Sequence, residues 1–452
     1  MVTSEIYPFS KTGGLGDVLG ALPPALAAAG HDVLVISPWY DTLNADPPPL
    51  WIGDVTFDMG AEVRPVGVGT LERDGVQLAF VGHQAFRRGE FYGFADDVER
   101  FLHLALAAPA VWQRVGFTPD VVHLHDWQAA PLAAALQQRR GAPPAVVTVH
   151  NLQHQGHAES SWLHHNLGAP DTCGGSGAYA SALGIGLKAA TKITTVSPTY
   201  AKEIQTPAHG FGLDPLLRAR ASDVTGIVNG IDTGVWNPAT DPWIAPQFTV
   251  DTLDRKHAVR RDVLRELGLA HDGRLLTAVT RLADQKGLDV LAGAAQGLLS
   301  DGWQIAVLGT GSAEWSARLR SIEQASQGAF HFAERHDERL AHRLLAGADG
   351  LLVPSHFEPC GLTQLVALRY GTVPVVHATG GLVDTVDDDL TGITYAPNTP
   401  AELRAATQRL GAWISEGTDV PVRARGMQVD VGWSHAAERY VDVYRDAQKV
   451  GP

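Results

Sequence analysis

Short, continuously apolar segments rich in β-branched residues recur along the chain, and this pattern constrains the fold more than any other feature. Each segment is followed by a glycine or a polar turn and then by a helical pattern. Continuous rather than alternating apolarity is typical of strands that are buried on both faces. The sequence therefore predicts α/β layers built on parallel sheets, with strands at Val33–Ile36, Val121–Leu124, Val146–Val149, Ile193–Val196, Leu275–Val279, Ile305–Leu308, Leu351–Val353 and Val373–Val376.

These strands fall into two groups, and we expect two domains in a chain of 452 residues. A stretch dense in Gly, Pro, Asn and Asp, residues 229–247, separates the groups. The boundary is predicted at its start, giving domains at 1–226 and 227–433. A last helix is predicted from Ser434, the expected N-cap, to about Gln448. The face that this helix should bury consists of Ala437, Tyr440, Tyr444 and Ala447.

Composition excludes several classes of protein. The formal net charge of −14 disfavours nucleic acid or an anionic membrane as the main partner, although a few local cations can still bind a small anion. Cys173 and Cys360 are the only cysteines, too few for a disulfide framework, and they fit a reducing compartment. No apolar run reaches the ~18 residues of a membrane helix. We therefore expect a cytoplasmic protein.

Polar side chains follow the ends of the predicted strands, where ligands bind in open α/β sheets. His125, Asp126 and Trp127 come after one strand, and His150 and Asn151 come after the next. In the second group of strands the corresponding segments are Thr280–Arg281 with Lys286 and Gly287 beyond, "PSHFEPCGLTQL" and "HATGGL".

The stretch "SKTGGLGDVLG" near the start of the chain is either a ligand-binding turn or a tight turn with a solvated lysine. Gly13, Gly14 and Gly16 would let the backbone approach a ligand, and Asp17 would cap the following helix. Lys11 would then place a positive charge beside the helix N-terminus.

Arg281 and Lys286 are close enough in sequence to converge on a diphosphate, or else they form a solvent-facing pair. Thr379, Gly380 and Gly381 offer backbone N–H groups at another helix start, which suits a phosphate.

His125, Asp126 and His150 match no zinc spacing, and they make better sense as a hydrogen-bonding set around a polar substrate. The alternative for either histidine is a satisfied buried ring. Glu358 either accepts hydrogen bonds from sugar hydroxyls or is a helix-start carboxylate. Cys360 beside it is expected to be buried and inert.

Taken together, the motifs resemble those of bacterial and plant glycogen and starch synthases, retaining glucosyltransferases that use ADP-glucose. The matching segments are "SEIYPFSKTGGLGDVLGALP", "HLHDWQAAP", "TVHNLQHQG", "TTVSPTYAKEIQT", "GIVNGIDTGVWNPATD", "TRLADQKGLD", "PSHFEPCGLTQL" and "TGGLVDTV". The resemblance runs through nearly the whole chain. It implies the GT-B fold: two doubly wound domains facing across a cleft, the glucan acceptor mainly on the first and the donor nucleotide mainly on the second. The C-terminal segment 434–452 would cross back to the first domain.

The resemblance also implies roles for individual residues. Arg281 and Lys286 would bind the donor diphosphate and neutralise the departing ADP, and Glu358 would hold the glucose hydroxyls. Asp126 and His150 would lie around the transferred glucose. Asn151 and Trp127 are assigned to the sugar and acceptor side. The remaining donor-binding residues would be Lys11, Gly13, Gly14, His336, Gly361, Leu362, Thr363, Thr379, Gly380 and Gly381. No metal or other cofactor is expected.

Four features depart from the family pattern. Only Val2 and Thr3 precede Ser4, so the first strand is short or the true start lies upstream. Gly184 stands where the family often has lysine, and Val366 falls on the second glutamate of the wider E-x7-E pattern, which this branch commonly lacks. His336 replaces a tyrosine that stacks on adenine.

Three alternatives remain open at this point. His336 leaves UDP-glucose, or the use of both donors, as an alternative to ADP-glucose. A non-catalytic glucan-binding relative would retain the surface and lose the site, but Lys11, Arg281, Lys286 and Glu358 are all present. An NAD-linked oxidoreductase would need G-x-G-x-x-G after its first strand, and "GTGSAE" at 309–314 does not complete that pattern.

Overall fold

The computed structural model of the protein describes residues 1–43, 45–167, 178–270 and 272–450. The chain forms two compact units: residues 1–229 with those from Trp433 onwards, and residues 230–432. The division lies between residues 229 and 230 instead of the expected 226 and 227. The reason is packing, since Ile227 is fully buried in the core of the first unit. Cys173 lies outside the described residues.

The first unit is built from strands and helices that alternate after an N-terminal helix. Its strands are β1 Leu34–Pro38, β2 Leu50–Met59, β3 Glu62–Arg73, β4 Val76–Gly82, β5 Val122–His125, β6 Ala145–Val149, β7 His157–Glu159, β8 Tyr179–Ser181, β9 Lys192–Thr195 and β10 Val224–Gly226. Its helices up to that point are α1 Gly14–Ala28, α2 Asp97–Arg114, α3 Asp126–Ala129, α4 Pro131–Gln137, α5 Ser160–Leu167, α6 Ala182–Ala189, α7 Pro198–Glu203 and α8 Asp214–Ala219.

The central sheet of this unit consists of two parts, in the orders β2-β3-β4-β1 and β5-β6-β9-β10. Val2 lies between them and forms parallel bridges to Ile36 of β1 and Leu124 of β5. At the position of the expected first strand, the structure has the single bridging residue Val2. The four strands predicted for this half are confirmed, whereas the antiparallel pair β2–β3 was not predicted.

The second unit contains a parallel sheet in the order β13-β12-β11-β14-β15-β16. This is the 3-2-1-4-5-6 order of a doubly wound fold. The four strands predicted here are confirmed, and β13 and β16 extend the two edges. The strands are β11 Arg274–Val279, β12 Trp303–Leu308, β13 Phe330–Ala333, β14 Gly350–Val353, β15 Val373–His377 and β16 Ile393–Tyr395. The helices are α9 Lys256–Glu266, α10 Leu288–Ser300, α11 Ala313–Ala325, α12 Glu338–Gly347, α13 Thr363–Arg369, α14 Gly381–Thr385, α15 Pro400–Glu416 and α16 Asp419–Gln428.

The last helix, α17 Ser434–Val450, returns to the first unit and packs against α1. Ala437, Tyr440 and Ala447 are buried in the same core as α1, as the predicted face requires. Ser434 is the first residue inside this helix and not its N-cap, a difference of one position. Among the described residues, no helix combines the length and the apolarity that a membrane crossing requires.

Candidate functional site

In both units the candidate residues lie where the strand order reverses. In the first unit the reversal falls between Val2 and β5, and in the second it falls between β11 and β14. Loops that leave the carboxyl ends of two such strands diverge to opposite faces of the sheet, which opens a crevice between them. Asp126 follows β5, Arg281 and Lys286 follow β11, and Glu358 follows β14, whereas His150 follows the neighbouring strand β6 and the turn at 379–381 follows β15.

A buried carboxylate that the sequence analysis missed organises the Lys11 turn. Glu5 is 3% exposed, and it accepts hydrogen bonds from the Thr12 backbone N–H at 2.6 Å, the Thr12 hydroxyl at 2.7 Å and the Tyr92 hydroxyl at 2.6 Å. Thr12 directly follows Lys11, so Glu5 fixes the path of the backbone that presents the lysine. No spacing in the sequence marks this role, because Tyr92 lies far along the chain.

Lys11 forms an ion pair with Asp17, with 2.6 Å between Nζ and Oδ1. Asp17 lies inside α1, so the prediction that it caps this helix is wrong; Gly13 is the N-cap residue. The close approach in the turn is made by Gly16, where a Cβ would lie 3.1 Å from the Cβ of Lys11. Gly13 faces open space and has an extended backbone, so its own φ requires no glycine.

Asp126 is held at the end of β5 in a strained conformation. Its φ is +56°, a region that residues other than glycine seldom adopt and that is concentrated at functional sites. Its carboxylate accepts the backbone N–H of His150 at 2.7 Å and that of Asn151, which joins the ends of β5 and β6. Burial raises the pKa of the Asp126 carboxyl to about 7. Burial lowers the pKa of the His150 imidazole to about 3, so this ring is neutral. Asp126, His150 and Asn151 are therefore brought together, as predicted.

Trp127 does not share this environment. It is 9% exposed, it meets the ring of Phe101 edge to face at 5.3 Å, and it lies over Gly156, where a Cβ would come within 2.3 Å of the indole. These contacts give Trp127 a packing role, and its assignment to the acceptor side stays a prediction.

In the second unit Lys286 and Glu358 form a direct ion pair. The Lys286 ammonium donates to the two carboxylate oxygens at 2.9 and 2.7 Å, and the side chains are 17% and 7% exposed. The Ser355 hydroxyl donates to the same carboxylate at 2.8 Å, a contact that the sequence analysis missed. The separate roles expected for the lysine and the glutamate are therefore coupled. Arg281, by contrast, is exposed and has no ion pair among the residues that the structure describes.

The loops after β11 and β14 contact each other, and this contact brings Lys286 and Glu358 together. Gly287 has a φ of +64°, and a Cβ there would lie 1.7 Å from the carbonyl oxygen of Pro354. The backbone N–H of His356 donates to the carbonyl of Gln285 at 2.9 Å. The Gln285 amide in turn donates to the carbonyl of Phe357 at 3.2 Å. Only glycine permits so close an approach at position 287.

The "TGG" turn after β15 packs against the Glu358 loop. The N–H of Gly381 donates to the backbone carbonyl of Glu358 at 2.9 Å. This N–H is therefore engaged within the protein, and its expected role at the donor phosphate stays a prediction. A Cβ on Gly381 would lie 2.5 Å from the Cα of Cys360, which is buried as predicted.

The other predicted donor residues lie at the same edge of the sheet. Gly361, Leu362 and Thr363 are half-buried and lead into α13. Thr379 is buried, and Gly380, with a φ of 48°, is the N-cap residue of α14. His336 is exposed in the loop between β13 and α12.

Two departures from the family pattern have packing roles. Val366 is 4% exposed in the core of the second unit. Gly184 lies in the first turn of α6, where a Cβ would contact Leu213 at 3.1 Å. Within the described residues, no group of three or more His, Cys, Asp or Glu side chains has the arrangement of a metal site.

Comparison with known proteins places these features in a family. Residues 1–219 match the family model described as starch synthase catalytic domain, and residues 259–411 match the model described as glycosyl transferases group 1. A glycogen synthase of Deinococcus deserti is 42% identical over an alignment of 459 positions that covers 98% of this chain and 98% of that protein.

Two solved structures resemble this protein over nearly its whole length. The catalytic domain of starch synthase IV from Arabidopsis thaliana, bound to ADP and acarbose, is 31% identical with a TM-score of 0.92, covering 99% of this chain and 98% of its own. Sucrose-phosphate synthase from Thermosynechococcus elongatus is 18% identical with a TM-score of 0.64, covering 98% and 97%, and it shares the fold.

Proposed function

The chain belongs to the family of glycogen and starch synthases, and on that premise we propose that it transfers glucose from ADP-glucose to the non-reducing end of an α-1,4-glucan with retention of configuration. It is a glycosyltransferase with the GT-B fold, and both predictions from the sequence are confirmed. The donor and acceptor, and the role of each residue, are the content of the proposal. We also propose a cytoplasmic location, in keeping with the two cysteines of the chain.

The observation that carries the proposal is the group of charges at the strand reversal of the second unit. Arg281 supplies a cation without an ion-pair partner among the described residues, and Lys286 supplies a second cation next to Glu358. Glucosyl transfer builds negative charge on the departing ADP. Fixed cations at that position stabilise the transition state more than the ground state.

The carboxylates suit the other half of the donor. The Glu358 carboxyl group, which contacts the Lys286 ammonium through both oxygens, has further lone pairs that can accept hydrogen bonds from the glucose hydroxyls. On the first unit, Asp126 and His150 offer an acceptor and a neutral ring to a sugar hydroxyl.

Retention follows if the acceptor attacks from the face that ADP leaves. The bond between the anomeric carbon and the phosphate oxygen breaks as the bond to the acceptor 4-oxygen forms. The proton of the 4-hydroxyl passes to the departing phosphate oxygen. No covalent intermediate with the enzyme is needed, and we propose that the two cations make a divalent metal unnecessary.

The nucleotide is assigned by relatedness and by one residue. The Arabidopsis relative was solved with ADP, and ADP-glucose is therefore the proposed donor. His336 is exposed at the end of β13 and has a smaller ring than tyrosine. This observation favours, as a second candidate, an enzyme that also accepts UDP-glucose.

The test is a transfer assay with glycogen and either ADP-glucose or UDP-glucose as the donor. We expect nucleotide release that depends on glycogen, equal incorporation of labelled glucose into the polysaccharide, and α-1,4 linkages by NMR. Arg281→Ala should abolish most turnover, whereas Glu266→Gln, at the C-terminal end of α9, should not. Absence of transfer from both donors by the folded wild-type protein would overturn the proposal.

A further inference from the structure

Three histidine rings form a row at the carboxyl edge of the first unit's sheet. His123 and His125 lie two residues apart on β5 and so project from the same face, and His150 follows β6. The ring centroids are 4.0 Å apart for His123 and His125, and 5.2 Å apart for His125 and His150. His123 and His125 are buried, with 2% and 0% of their surface exposed.

The row is fixed at its inner end. His123 forms hydrogen bonds through Nδ1 with the Tyr444 hydroxyl of α17 at 2.8 Å, and through Nε2 with the Thr148 hydroxyl at 2.5 Å. The Thr148 hydroxyl also contacts that of Thr194 on β9. With both nitrogens engaged, the His123 ring cannot turn, and it presents a fixed face to His125.

The contact between His125 and His150 determines which nitrogen carries each proton. His125 Nδ1 lies 3.0 Å from His150 Nε2, so one of the two donates and the other accepts. The other nitrogen of His125, Nε2, is buried and has no hydrogen-bond partner within the described residues. A buried N–H group without a partner is rarer and more costly than an unpaired acceptor. The proton of His125 therefore belongs on Nδ1, where it is donated to His150.

The consequence for His150 follows from the neutral form of its ring. Burial lowers its pKa to about 3, so the imidazole carries one proton at neutral pH. Since Nε2 accepts from His125, that proton lies on Nδ1. His150 then offers an N–H group, a donor suited to a sugar hydroxyl oxygen, while the neighbouring Asp126 carboxylate is an acceptor.

We propose that His125 is a positioning residue that holds His150 in the Nδ1–H tautomer, so that His150 acts as a hydrogen-bond donor to a hydroxyl of the bound sugar. The part that concerns the sugar rests on the proposed function. The tautomer itself depends only on contacts within the first unit.

The direct test needs no substrate. The protein is labelled with ¹⁵N-histidine, the His150 signals are assigned by their loss in His150→Gln, and long-range ¹H–¹⁵N correlation shows which ring nitrogen is protonated. We expect a protonated Nδ1 and an unprotonated Nε2 in the wild type. A protonated Nε2 on His150 would overturn the proposal, whatever the activity of the enzyme.

Variants at position 125 test the consequence for turnover. His125→Phe keeps a flat ring but removes the donor, and we expect part of the His150 population to change tautomer and kcat to fall about tenfold. His125→Asn, whose side-chain amide can donate from nearly the position of Nδ1, should recover most of the loss. His103→Phe is the matched control, since it removes another buried imidazole of the same unit that lies on α2.

The outcomes separate this inference from the proposed function. If the protein has the expected tautomer but transfers glucose from neither sugar nucleotide, the positioning role of His125 is supported and the proposed function is refuted. An active enzyme in which His125→Phe and His125→Asn lower kcat equally would lose the positioning role, because a general packing defect would then explain both variants.

Discussion

Replacing Glu358 with glutamine is expected to strengthen the binding of ADP while it slows glucosyl transfer. In the structure the Glu358 carboxylate neutralises the ammonium of Lys286, the cation that the proposed function assigns to the diphosphate. A neutral amide at position 358 leaves that charge for the nucleotide. The same change removes an acceptor for the glucose hydroxyls, so turnover should fall.

The size of the gain follows from the geometry of the pair. The ammonium lies 2.7 and 2.9 Å from the two carboxylate oxygens. At about 2.8 Å and an effective dielectric constant of ~20, the Coulomb attraction is about 6 kcal/mol. Desolvation of two largely buried groups offsets most of it, and coupling between residues in contact is typically ~0.5–3 kcal/mol. If about 1–1.4 kcal/mol becomes available to ADP, its Kd falls about five- to tenfold.

Titration calorimetry with ADP tests this on the wild type, Glu358→Gln, Lys286→Met and the double variant. We expect tighter binding in Glu358→Gln, weaker binding in Lys286→Met, and a much smaller effect of Glu358→Gln in the Lys286→Met background. Glu266→Gln is the control, because it removes a carboxylate that pairs with Arg339 and Arg343. Weaker ADP binding in Glu358→Gln, or the same gain in both backgrounds, would refute the reasoning.

Four further predictions concern turnover, metal, donor choice and pH. Arg281→Ala should raise the activation free energy by ~2.7–4 kcal/mol, the contribution of one fixed transition-state contact, and so lower kcat about 10²–10³-fold. The circular dichroism spectrum should be unchanged, and near-normal turnover would exclude Arg281 from the site. EDTA should leave the initial rate unchanged, and a loss that Mg²⁺ or Mn²⁺ restores would contradict the proposal of two cations in place of a metal. His336→Tyr should raise the ratio of kcat/KM for ADP-glucose over UDP-glucose, since base stacking contributes ~1–3 kcal/mol; an unchanged ratio would mean that this ring does not meet the base. Burial raises the pKa of Asp126 from 3.8 to about 7. Between these pH values the folded protein keeps a proton on this carboxyl that the unfolded chain has released, so the free energy of unfolding falls as the pH rises. Asp126→Asn should therefore gain stability relative to the wild type across that window, by at most ~4 kcal/mol, and urea titrations at pH 5 and pH 8 that show a constant difference would contradict the pKa shift.

The strands that are buried on both faces could be predicted from the sequence, because each is a short run of consecutive apolar residues. It did not reveal the antiparallel strands β2 and β3. Residues along β2 are mostly exposed or half-buried, and Gly53 and Pro65 interrupt the pattern in this hairpin. The edge strand β16 has only three residues, too few to carry a periodic signal.

The candidate site could be predicted as a set of residues but not as a set of contacts. Polar side chains after buried strands indicated Asp126, Arg281, Lys286 and Glu358, because ligands bind at that edge of such sheets. The ion pair between Lys286 and Glu358 joins residues that are 72 positions apart, and nothing in local spacing predicts it. The engagement of Gly381 by the backbone of Glu358 is likewise a property of tertiary packing.

The return of α17 to the first unit means that the second unit is inserted within the chain of the first. Trp433 and several residues of α17, among them Ala437 and Tyr440, complete a core whose remaining members all precede residue 228. During synthesis at ~5–20 residues per second, residues 230–432 must all emerge before that core can close. For roughly 10–40 s the apolar face of α1 and the ring of His123 therefore lack α17, the helix that packs against them. The first unit can therefore complete its core only after its last helix has left the ribosome.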